Sequence, residues 1–212
     1  VVAVAYSPDG KYIVTGSNDK TAKLWDASLG IVIKTFQTYD AITSLAYSPS
    51  GEYIAIGFDE KYELWHHVLE GTITEYTKQE DSDQFSIETE ELFERIYSIA
   101  CSPDSKYIVT GMSNHTAKVW DVYSGEVTRT LEGHGDHVVA VAYSPDGKYI
   151  VTGSNDKTAK LWDSSLEEPI NNFEKNLFSH CVTGAVFSYD GKYIVTTNLD
   201  RKVHFWNADS LQ

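Results

Sequence analysis

The side chains able to do chemistry are few and scattered. His66 and His67 are adjacent at the end of a β-rich run, so they point to opposite faces of a strand and cannot hold one metal ion together. His134 and His137 stand three apart with Asp136 between them, a spacing from which a loop can hold a metal. Ser-x-x-His and Cys/His combinations occur only as scattered letters. The stretch GSNDKT has neither the glycine spacing nor the following helix of a phosphate-binding loop. Cys101 and Cys181 suggest no disulfide framework and read as two reduced thiols of an intracellular protein. None of these groups amounts to a catalytic constellation, and no cofactor is expected.

Charge narrows the partners. Seventeen basic residues face 31 acidic ones, a net charge of -14. Phosphate binding needs a cationic field, so this balance argues against nucleic acid and against anionic lipid. It permits a basic protein partner. No apolar run approaches membrane-spanning length. The acidity concentrates in KQEDSDQFSIETEELFER, residues 78–95, with seven acids against two bases. Glu80, Asp81, Asp83, Glu88, Glu90 and Glu91 are the candidates for an acidic arm toward a basic partner, with a solvated loop as the competing reading. Phe85, Thr89, Leu92 and Ile96 would line one side of a short helix there.

The elements that would position these residues come from repetition. VVAVAYSPDGKYIVTGSNDKTAKLWD covers residues 1–26 and returns letter for letter at residues 138–163. Weaker copies start at Ile42, Ile96 and Val182, so the spacings are 41, 54, 42 and 44. All five Trp fall at one repeat position, as Trp25, Trp65, Trp120, Trp162 and Trp206. A fixed period near forty residues is the mark of an array whose units bury their apolar faces against neighbours. The expected organisation is one domain, 1–212, with units 1–41, 42–95 (carrying the 78–95 insert), 96–137, 138–181 and 182–212.

Within each unit VVAVAY reads as a first strand, Ser7-Pro8-Asp9-Gly10 as a tight turn and KYIVTG as a second strand. SNDK closes a hairpin onto TAKLWD, and IVIKTFQ supplies a fourth strand. PINNFE is a weaker fourth-strand candidate in the fourth unit. The first two strands are apolar on both faces, so each sheet is expected to be sandwiched between others. Small antiparallel sheets sandwiched at a fixed period describe an all-β propeller.

The run GHGDHVVAVAYSPDGKYIVTGSNDKTAKLWD, residues 133–163, closely resembles the WD-repeat (WD-40) β-propeller family: Gly-His, Val-x-x-Val, Ser-Pro-Asp-Gly, a turn Asp and a final Trp-Asp. The resemblance covers essentially the whole chain in five copies. It implies about five blades of four antiparallel strands, either a five-bladed ring or a fragment of a larger, for example seven-bladed, propeller that needs further blades or another chain to close. It also implies a buried structural network of His134, Thr152 or Ser154, Asp156 and Trp162, with Trp25, Trp65, Trp120 and Trp206 as repeat core. That role takes His134 away from any metal. Equivalents of His134 in the other units are Thr38, Leu92 and Phe178, and Asn114 replaces the turn Asp in the third unit.

The same resemblance implies that one rim is the usual partner surface. Before the first strand the units carry Ala41, Arg95, His137 and Cys181; after the second they carry Ser17, Phe58, Met112, Ser154 and Asn198. Phe58 and Met112 are apolar where their counterparts are polar, as an interaction hot spot would be. Phe58, Met112, Arg95 and His137 are therefore the candidate partner-binding positions. The expectation for function is a non-enzymatic protein-interaction scaffold, or a targeting or regulatory domain of a larger protein.

Overall fold

The Ser-Pro-Asp-Gly turns close as their residue types require. In the first, Gly10 N–H donates to Ser7 C=O (2.9 Å) with Gly10 at φ +70°, where a side chain would be strained. Ser7 Oγ donates to Asp9 Oδ1 (2.7 Å) and accepts from Tyr12 N–H (2.9 Å), so one hydroxyl ties both ends of the turn. The Ser7 hydroxyl, with the Lys11 backbone, holds the Asp9 carboxyl down at about 2. The third, fourth and fifth repeats build the same hydroxyl–carboxylate turn on Ser102, Ser144 and Ser188.

In the computed structural model, which describes residues 1–58, 62–68, 72–76, 94–166, 169–173 and 180–210, these turns join five antiparallel sheets in chain order. The first holds β1 (Ala3–Tyr6), β2 (Tyr12–Gly16), β3 (Thr21–Asp26) and β4 (Val32–Gln37). The second holds β5 (Ser44–Tyr47), β6 (Tyr53–Gly57), β7 (Tyr62–Val68) and β8 (Thr72–Tyr76). The third holds β9 (Ile96–Cys101), β10 (Tyr107–Met112), β11 (Ala117–Asp121) and β12 (Val127–Leu131). The fourth holds β13 (Val138–Tyr143), β14 (Tyr149–Ser154), β15 (Ala159–Asp163) and β16 (Pro169–Phe173), the last within the weak PINNFE signal. The fifth has three described strands, β17 (Val182–Phe187), β18 (Tyr193–Asn198) and β19 (Val203–Asn207). No described helix is long and apolar enough to cross a membrane.

Each sheet has two unlike faces, because side chains alternate along a strand. In the fourth, Val141, Ile150, Thr152 and Trp162 share one face; Ala140, Val151, Gly153, Ala159 and Leu161 share the other. The small-residue face of one sheet meets the Trp-bearing face of the next. Val109, Ala117, Val119 and Leu131 of the third pack on Val141, Ile150 and Trp162 of the fourth. Val151, Ala159 and Leu161 of the fourth pack on Ala185, Ile194 and Trp206 of the fifth. The glycine near the end of the second strand permits this approach: a Cβ on Gly153 would lie 2.6 Å from Val182 Cγ1. The innermost strands pack in succession, β1 on β5, β5 on β9, β9 on β13 and β13 on β17, as blades of a β-propeller.

Among the described residues the first and fifth sheets share no such packing with each other. Their outer faces are accordingly bare. Val4 is 61% exposed in β1, whereas its letter-for-letter counterpart Val141 is 6% exposed in β13. Two-sided burial is complete in β6 and nearly so in β14. The expectation that every repeat Trp is core needs correction. Trp162 is fully buried, while Trp25, Trp120 and Trp206 are half-buried, and the side chain of Trp65 lies outside the described residues. Among the described residues Trp25 has no sheet against its face, whereas Trp162 lies beside the imidazole of His134 (6.3 Å between rings) and Trp206 beside that of His204 (6.1 Å).

Candidate interaction rim

The loop before β13 is held by a chain of buried hydrogen bonds. Trp162 Nε1–H donates to Thr152 Oγ1 (2.9 Å), and Thr152 Oγ1 lies 2.7 Å from His134 Nε2. His134 Nδ1 lies 2.9 Å from Asp156 Oδ2. A carboxylate only accepts, so Nδ1 carries the proton and donates it to Asp156. Nε2 then accepts from the Thr152 hydroxyl, which in turn accepts from the indole. Every group is satisfied by a neutral imidazole. Gly135 N–H (2.8 Å) and the Thr158 hydroxyl (2.7 Å) also donate to Asp156, which anchors the loop at both ends.

The titration behaviour follows. Burial lowers the pKa of His134, although the hydrogen bond and charge of Asp156 pull it the other way. Burial would raise Asp156, but hydrogen bonds from His134, Thr158 and Gly135 outweigh it and hold the carboxyl well below the usual range. Ser154, the alternative hydroxyl, does a different job: it donates to Asp136 C=O (2.9 Å) beneath the same loop.

The other described repeats keep only the first link. Trp25, Trp120 and Trp206 each donate to a threonine ten residues upstream, Thr15, Thr110 and Thr196, at 2.9 Å. The third repeat then inverts the polarity. Its turn carries Asn114, whose Nδ2 donates to Glu94 Oε1 (2.7 Å), and Lys118 Nζ pairs with Glu94 Oε2 (2.6 Å). Glu94 and Lys118 were not singled out by sequence. The signal was present in Asn114: a turn without its carboxylate invites one from elsewhere.

The expected apolar pair on the rim is overturned. Phe58 is fully buried and Met112 is 3% exposed. Phe58 lies against Tyr39 (ring centroids 4.8 Å) in the core between the first two sheets. The reason is positional. The residue at or just past the end of the second strand points inward, as Ser154 and Asn198 also do, both buried. An apolar residue there replaces a buried hydroxyl rather than exposing itself. Arg95 and His137 are on the surface, exposed and half-exposed respectively. Arg95 lies over the Tyr97 ring (5.5 Å), and Tyr97 stacks on His137 (5.3 Å between ring centroids). Glu80, Asp81, Asp83, Glu88, Glu90 and Glu91 lie outside the described residues, as do Phe85, Thr89 and Leu92 of the expected short helix.

Sequence reasoning also missed His115. It sits exposed at φ +71° in the hairpin turn where the equivalent residues are Lys20, Lys157 and Arg201. Its ring lies 5.7 Å from that of His137, across the junction of the third and fourth sheets. An imidazole where three counterparts carry long cations was the available signal. Arg95, Tyr97, His115, Asp136 and His137 thus form one surface cluster, set on the start of β9 and on loops that the network and the Glu94 pairs hold in place.

Five stretches of the chain, residues 1–26, 30–66, 90–121, 125–163 and 169–207, match the family model described as WD domain, G-beta repeat. Among curated proteins, the chain is 26% identical over 144 residues to eukaryotic translation initiation factor 3 subunit I of Lodderomyces elongisporus, covering 64% of this chain and 40% of that protein. It is 45% identical over 42 residues to the ribosome biogenesis protein BOP1 homolog of Drosophila grimshawi, covering 20% of this chain and 5% of that protein. The BOP1 homolog of Culex quinquefasciatus matches to the same extent. The chain therefore spans well under half the length of these relatives.

Proposed function

The chain belongs to the WD-repeat family, and from that premise we propose that it is a non-catalytic adaptor whose rim at the third and fourth blades docks a protein partner. The observation that carries this reading is the surface cluster of Arg95, Tyr97, His115, Asp136 and His137 on hydrogen-bonded loops and the start of β9. Arg and Tyr are enriched among residues that dominate binding energy, and here they are stacked before any partner arrives. Loops held by stacked sheets lose little entropy on docking, so more of the contact energy appears as affinity. The net charge of -14 favours the approach of a basic partner. One relative is by name a subunit, and a comparable place within a multiprotein assembly is part of the proposal.

The test compares partners captured by the wild type, by Arg95→Glu and by Lys11→Glu, the last an exposed change at an opposite-end turn. The proposal expects Arg95→Glu to lose proteins that Lys11→Glu retains. Identical sets from both variants would overturn it.

A further inference from the structure

We propose that the rim holds a divalent transition-metal ion of the zinc class between the third and fourth blades, on His115, Asp136 and His137. The proposal stands apart from partner docking and is tested without a partner. One ligand atom from each of the three residues lies within 4.8 Å of the others. The donors are two imidazole nitrogens and a carboxylate oxygen, which suit zinc and its neighbours rather than calcium or magnesium. Bonds of about 2.0–2.1 Å in a tetrahedron place ligand atoms about 3.3 Å apart. His115 is exposed and Asp136 and His137 are half-exposed, so a modest closure of surface side chains reaches that geometry.

A second observation points the same way. His137 Nδ1 is 3.2 Å from Tyr97 Oη. The phenol can accept the Nδ1 proton, and that tautomer leaves the lone pair on Nε2. Nε2 is the nitrogen on the Asp136 side, 4.0 Å from Oδ1. Metal-ligating histidines nearly always hand their other N–H to such an outer partner, which fixes ring orientation. Asp136 is fixed in turn: its Oδ1 accepts from His137 N–H (2.7 Å), and its carbonyl accepts from Ser154. Three protein ligands leave a fourth position open to water or to a side chain of another molecule. His134, the sequence-based neighbour of His137, is not part of this set because both its nitrogens are engaged within the blade. The ligand that replaces it comes from the adjacent repeat.

The sister repeats supply variants that keep the backbone. Lys occupies the His115 position at φ 63° and 70° in the first and fourth repeats, and Ala41 occupies the His137 position in the second. Metal-free chain is titrated with zinc chloride alone by calorimetry, with circular dichroism confirming the fold of each variant. The expected result is one zinc per chain at neutral pH. H115K and H137A each weaken it by about tenfold or more, and Tyr97→Phe weakens it by about tenfold. His180→Gln and Cys181→Ser should bind as the wild type does, and excess magnesium should not compete. No saturable binding by folded wild type, or undiminished binding by both H115K and H137A, would overturn the proposal.

Discussion

The duplicated 26 residues offer an internal control on what holds this protein together. Trp25 and Trp162 have the same sequence around them, the same strand register opposite Ile13 and Ile150, and the same 2.9 Å hydrogen bond to a threonine. They differ in their neighbours. Trp162 is sealed under the third sheet and beside His134, whereas Trp25 faces outward from the first sheet. A tryptophan buries about 150–250 Å², worth about 4–6 kcal/mol at 25 cal/mol per Å². With the residual alanine and the cavity included, Trp162→Ala should cost about 3–5 kcal/mol. Trp25→Ala forfeits about half the area and leaves an open notch rather than a cavity, so it should cost about 1–2 kcal/mol. Urea unfolding followed by far-ultraviolet circular dichroism measures both, with the slope checked because stacked arrays do not always unfold in one step. Losses equal within about 0.5 kcal/mol would refute the claim that packing between sheets, rather than local sequence, sets the stability of each repeat.

Other outcomes follow from the same contacts. Thr152→Val strands the Trp162 indole and His134 Nε2 in the core and should cost about 2–4 kcal/mol, whereas Thr15→Val, whose indole can reach water, should cost about 1 kcal/mol or less; paired denaturation curves decide it. The folded pKa of His134 is lowered, so the unfolded chain takes up its proton first. Its contribution is therefore whole above about pH 6.5 and declines as pH falls toward the folded value. The melting temperature of the wild type should fall more steeply from pH 7 to 5 than that of His134→Gln, and parallel slopes would contradict this. Phe58→Asp should unfold the second sheet rather than merely block a partner, since it places an unpaired charge in a fully buried position; an unchanged urea midpoint would show otherwise.

The fold was legible because the repeat phase is written in rare residues. Five Trp at one position, Tyr-Ile opening each second strand and the turns of the Ser-Pro-Asp-Gly type place strands without any long-range information. The His134–Asp156 link was legible too, through a motif that the fourth repeat alone carries whole. What sequence could not reveal was exposure, which belongs to neighbours. Nothing in VVAVAY says that Val141 is covered while Val4 is bare. Phe58 and Met112 misled for the same reason: an apolar letter among polar ones marks a different filling of an inward position as readily as a surface patch. The meeting of His115 with His137 depends on two loops from different repeats, 22 residues apart in the chain and joined only by sheet stacking. The Glu94 pairs with Asn114 and Lys118 likewise cross from a loop to a hairpin turn and a strand that no local pattern connects to it.

The most direct test of the adaptor reading is hydrogen exchange of the chain alone and with the protein most enriched in the capture comparison. The reading predicts that protection on binding falls on the loops of residues 94–97, 113–116 and 133–137. Protection confined instead to the opposite-end turns at residues 7–10, 102–105 and 144–147 would contradict it.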